Sequence, residues 1–116
     1  MNTLRNAFLL MIAVLSAPTF AADAEAGLAA VTELGGVNGR ALACADMKSA
    51  ARARELMLAH APKTPRFGAA YEEATNAAFN AQTGSDKPCA DAVERTAQLN
   101  QLALRLGETL PIAPRQ

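Results

Sequence analysis

From Asp23 to Leu110 the apolar residues of this chain return at intervals of three and four, with alanine dominant and valine and isoleucine scarce. That period is the one that lines a single face of an α-helix, and no alternating segment interrupts it, so the chain is expected to be all-α. The clearest run is Leu99, Leu102, Leu106 and Leu110, with Ala92, Val93 and Thr96 continuing the stripe back toward Cys89. Pro111 ends the pattern.

The same reasoning divides the rest of the chain. Asp23 to Leu34 reads as a first helix, with acids in its opening turn facing the positive end of the helix dipole. Gly35 and Gly36 then read as its stop and Val37-Asn38-Gly39 as a turn, because each interior glycine costs ~1 kcal/mol against alanine. The competing arrangement is an uninterrupted helix in which Gly35, Gly39 and Ala43, spaced at four, let another backbone come close. A second helix is expected from Arg40 to Ala61, ended by Pro62, with Cys44, Met47, Ala51 and Leu58 as its core stripe. On that phase Ala43, Ala50 and Met57 flank the stripe, and Asp46, Ser49, Arg52 and Glu55 lie outside. A third helix, Arg66 to Gln82, turns Phe67, Ala70, Tyr71, Ala74 and Ala78 to one face and Glu72, Glu73 and Asn76 to the other. Ser85 or Asp86 would cap the fourth helix, with Pro88 in its first turn and Cys89 at its start. Loops of about five residues favour antiparallel neighbours, giving a small antiparallel bundle of three long helices plus an N-terminal one.

Before that domain stands a segment with a different character. Arg5, the apolar run Ala7–Leu15 and the small-residue stretch Ser16–Ala22 have the layout of a secretory signal peptide, with cleavage expected after Ala21. An apolar run of about nine residues is too short for a hydrocarbon core that needs about twenty, so no stable membrane anchor is expected. The expected organisation is thus a signal peptide over 1–21, one helical domain over 22–110 and a loose tail over 111–116. Export, in a bacterial cell to the periplasm, would carry both cysteines into an oxidising compartment. A Cys44–Cys89 disulfide is expected there, closing a loop of 46 residues. If the second and fourth helices run parallel, both thiols fall at one end of the bundle.

Charge and composition exclude several functions. Loss of residues 1–21 from 116 leaves 95 residues and removes Arg5 but no acid, taking the formal charge from 0 to −1. There is no basic field to steer nucleic acid, and with no tryptophan and 4% aromatic residues there are few stacking platforms. Catalysis lacks its usual apparatus: Glu72 and Glu73 diverge on a helix, Ser49 and Ser85 have no neighbouring base, and nucleotide or metalloprotease motifs are missing. No enzyme activity and no cofactor are expected.

Two candidate sites remain. Arg52 and Arg54, in a locally basic second helix with Arg40 and Lys48, could form a docking strip for an acidic partner. Met47, Met57 and His60 offer two thioethers and an imidazole, ligands suited to copper. The expected function is non-catalytic binding of another macromolecule in the periplasm, as a chaperone-like, inhibitor or immunity, or assembly-accessory protein; metal handling is the alternative.

Overall fold

The computed structural model describes residues 20–112. Residues 1–19 of the expected signal peptide and 113–116 of the expected tail lie outside them. Four helices follow one another: α1 (Phe20–Ala43), α2 (Met47–His60), α3 (Pro65–Thr83) and α4 (Ala92–Thr109). The protein is an all-α bundle in which the N-terminal helix, expected to be short, is the longest.

α1 runs through the glycine segment without a break. The reason lies in α3, which packs directly across it. A Cβ on Gly35 would stand 2.5 Å from the Tyr71 carbonyl oxygen, and one on Gly39 would stand 2.2 Å from that of Thr75. Bare Cα atoms at 35 and 39 therefore let two helix backbones touch, and the close packing offsets the propensity cost of the glycines. Asn38, between them, is buried, and its Nδ2 donates to Thr75 Oγ1 at 3.3 Å. The Thr75 hydroxyl lies 2.8 Å from the Tyr71 carbonyl and 3.2 Å from that of Gly35.

Helix α1 ends instead at Cys44-Ala45-Asp46. The Ala45 N–H bonds to the Leu42 carbonyl and the Asp46 N–H to the Ala41 carbonyl, a Schellman arrangement with Ala45 in left-handed backbone at φ 56°. Asp46 then caps α2, its Oδ1 accepting from the Ser49 N–H at 3.2 Å. The stretch expected as one helix from Arg40 to Ala61 is thus the end of α1, a turn and α2.

The directions of the helices follow from their contacts. At one end the α2 cap, Asp46, meets Arg95 in the first turns of α4; at the other, His60 meets Leu110, the α4 C-cap. Helices α2 and α4 are therefore parallel. α1 runs against both, with Gly27 against Leu110 and Cys44 bonded to Cys89. α3 runs with α1, Arg66 pairing with Glu25 and the Gly39 backbone meeting Ala78. Chain direction alternates as expected, but α3 packs against α1 without close backbone approach to α2 or α4.

Val31, Leu34 and Val37 of α1, Leu56 of α2, Phe67 of α3 and Leu99, Leu102 and Leu106 of α4 form the core. Each such side chain contributes about 1.5–3 kcal/mol through burial. The leucine stripe of α4 holds its expected phase, with Leu106 fully buried and Leu104 71% exposed. Its extension does not: Ala92, Val93 and Thr96 are exposed, and Arg95 occupies the inward position. The helix also begins later than expected. Gly84 to Asp91 is irregular, Cys89 lies in it, and the cap is Asp91, whose Oδ1 accepts from the Val93 N–H at 3.1 Å.

Candidate functional site

The turn at Cys44–Asp46 sets the rotation of α2, and with it which residues reach solvent. Two bonds tie that turn to α4 and the segment before it, and a third braces the arginine that makes one of them. Cys44 and Cys89 form a disulfide with Cα atoms 5.9 Å apart. Arg95 Nε donates to Asp46 Oδ2 at 2.8 Å, and Arg95 Nη1 donates to the Ala90 carbonyl at 2.8 Å. Hydrogen bonding from Ser49 first, and from Arg95 second, holds the Asp46 carboxyl down at about 2. Arg95 is buried, yet its charge is paired with Asp46 and both Nε and Nη1 donate, which is the condition for keeping a cation inside.

With its start fixed in this way, α2 turns Ser49, Ala50, Ala53 and Leu56 inward. The stripe expected in the core faces out: Met47 is 55% and Leu58 62% exposed, and Ala51 is exposed between them. The expected phase assumed a helix continuous through Cys44, and the turn resets it. Ser49, expected outside, is buried beneath the cap, and Asp46 pairs inward. The outer face of α2 is therefore a run of Met47, Ala51, Arg54 and Leu58 at helical spacing, with Lys48, Arg52 and Glu55 alongside.

Arg52 and Arg54 are both exposed, and being two residues apart they point to different sides. Arg52 borders a groove of about 390 Å³ between α2 and α4 that is floored by Leu99, and it pairs with Glu55 at 3.6 Å. Arg54 borders a second groove of about 360 Å³ between α1, α2 and α3, with Asn38, Leu42 and Tyr71. Among the described residues Arg54 forms no ion pair. The two arginines do not form one strip; they flank the apolar run from different sides.

Met47, Met57 and His60 are not brought together. Met47 opens α2 whereas Met57 and His60 lie in its last turn, so ten residues and about 15 Å of helix separate the two thioethers. Met57 packs half-buried against the core. His60 Nδ1 is 2.8 Å from the Leu110 carbonyl oxygen. Because a carbonyl only accepts, Nδ1 carries the proton. Among the described residues no three His, Cys, Asp or Glu side chains gather at one point.

Two residues matter here that the sequence did not single out as functional. Arg95 fills a position on the leucine stripe, four before Leu99, and a cation in an apolar phase is itself a sign of a buried pair. Tyr71 was placed correctly on the inner face of α3, but its hydroxyl is buried without a hydrogen-bond partner, which no linear pattern announces. Among the described residues no helix is long and apolar enough to cross a membrane. No family model, no curated protein and no solved structure matches this chain.

Proposed function

We propose that this is an exported, non-catalytic protein that binds another macromolecule in the periplasm through the outer face of α2. The observation that carries the reading is the exposed run Met47, Ala51 and Leu58 set among Arg54, Lys48 and Arg52. Large apolar side chains lose about 1.5–3 kcal/mol of available burial when left in water, and here they sit at the spacing by which helices recognise one another. The cations beside them suit a partner segment that is apolar along one side and acidic at its edges. The N-terminal segment and the disulfide support export. A chaperone-like, inhibitory or assembly-accessory role would each use such a face.

The test places a photo-crosslinking residue at Leu58 and, for comparison, at Glu72 on the exposed side of α3. Crosslinking in periplasm from Leu58 and not from Glu72 is expected, and it should fade with added salt because exposed charges are screened within about 10 Å at 0.1 M. Arg52→Glu with Arg54→Glu should abolish it while moving stability by no more than about 0.5 kcal/mol. Equal products from both positions, or undiminished crosslinking in the double variant, overturns the reading. Copper retained by the wild type and lost in His60→Ala would put metal handling in its place.

A further inference from the structure

The groove between α1, α2 and α3 is built differently from the outer face beside it. Its apolar walls are Leu42, Met47, Ala50 and Ala51, and its polar groups are Asn38, Arg54 and Tyr71. The Tyr71 hydroxyl is shut off from water with no hydrogen-bond partner, a state that costs stability and that few native groups occupy without a reason. Asn38 donates Nδ2 to Thr75 and makes no bond to that hydroxyl. Arg54 brings an exposed guanidinium close enough to act electrostatically on the phenol, and burial, the larger influence, raises the phenol above its ordinary value of 10.0. The hydroxyl is thus a protonated donor at neutral pH.

We propose that this groove binds a monocarboxylate with an apolar body, the carboxylate accepting from Tyr71 and pairing with Arg54 while the body lies along Leu42, Met47 and Ala50. A donor without an acceptor and a cation without an anion are met by one group carrying a negative charge and two acceptor oxygens. The volume of about 360 Å³ lies at the small end of ordinary ligand pockets, which suits a medium-chain or arylalkyl acid. The hydroxyl is closed to water, so a carboxylate reaches it only when lining side chains move aside; Met47 and Arg54, both exposed and flexible, are the ones free to do so. The groove shares Met47, Ala51 and Arg54 with the outer face of α2, but the ligand is a small molecule, and Tyr71, on α3, takes no part in that face.

The probe is sodium octanoate titrated calorimetrically into the protein below its micellar concentration, with 1-octanol and octylammonium as comparators. Saturable one-to-one binding of octanoate is expected, with both comparators at least about tenfold weaker, the ratio corresponding to loss of one charge-assisted contact. Tyr71 is the single tyrosine and the chain has no tryptophan, so the change in intrinsic emission on binding reports this groove alone. Tyr71→Phe should weaken octanoate about tenfold and leave octanol unchanged, and its melting temperature without ligand should rise because an unpartnered buried hydroxyl is gone. A merely structural tyrosine would not show that opposition. Arg52→Glu, which lies outside this groove, should bind octanoate normally even where it weakens crosslinking from Leu58, which separates failure of this proposal from failure of the docking reading. Absence of saturable octanoate binding, equal affinity for all three probes, or full affinity in Tyr71→Phe overturns the proposal.

Discussion

Gly35–Gly39 and Cys44–Asp46 stand a few residues apart on the same helix and treat the backbone in opposite ways. The first holds three glycines and continues as helix, because α3 lies against the bare Cα atoms of Gly35 and Gly39. The second holds none and ends the helix, with an alanine in left-handed backbone at φ 56°. Intrinsic preference points the other way at both places, by ~1 kcal/mol per interior glycine and about 1–2 kcal/mol for an alanine in that conformation. Tertiary bonds outweigh it at both: helix contact along Gly35–Gly39, and a disulfide, an ion pair and two helix caps gathered on three consecutive residues.

If those bonds decide the outcome, removing them should reverse it. The largest effect is expected from Cys44→Ala with Cys89→Ala, which opens a loop the chain-entropy account values at about 4 kcal/mol; a denaturant midpoint that barely moves would show that the turn holds without its covalent bond. Gly39→Ala comes next. Its methyl group would meet the Thr75 carbonyl and the Phe79 amide of α3, for a loss of about 3 kcal/mol and faster proteolysis of α3.

Asp46→Asn should cost about 2 kcal/mol at neutral pH through its charge-assisted bond to Arg95. The carboxyl titrates at 3.8 ordinarily and at about 2 when folded, so its contribution is complete above about pH 5 and is lost as the pH falls through 2. Thermal melts of wild type and variant should therefore converge across that window. The smallest effects are the most direct. Gly36, between the two contact glycines but with only Arg40 Nη1 at 3.4 Å from a built Cβ, should gain up to about 1 kcal/mol as alanine, and Ala45→Gly should gain about 0.5–1 kcal/mol by relieving the left-handed strain. Losses at both positions in matched melts would break the comparison.

Large aliphatic residues at a clean helical spacing were legible in the sequence: Leu99, Leu102 and Leu106 are buried, and Phe67 and Tyr71 lie on the inner face of α3. The cysteine pairing and the parallel run of α2 and α4 were legible too, since oxidation and chain alternation constrain both. The phase of α2 was not. Alanine occurs on several of its sides, so neither Ala50-Ala53-Leu56 nor Met47-Ala51-Leu58 has a decisive advantage until the turn before it is known. That turn depends on Ala45, which carries no mark of left-handed backbone, and on Arg95, whose partner Asp46 is 49 residues away. The same blindness hid the candidate site, because exposure of Met47 and Leu58 is a consequence of that phase.

The bonds that fix the turn also divide the molecule into a clamped pole and a loose one. Near Met47, α2 is held by a covalent bond, a buried ion pair and a cap. Near Leu58 it is held by Leu56 in the core, by the His60–Leu110 hydrogen bond and by apolar contact from Met57 and Ala61, with no covalent bond or ion pair to another helix among the described residues. Local opening free energies therefore descend along α2, and amide protons should exchange slowly at its first turn and progressively faster toward Pro62. An incoming segment would meet a fixed foothold at Met47 and a yielding one at Leu58, seating first where the surface is already shaped and adjusting where it still breathes.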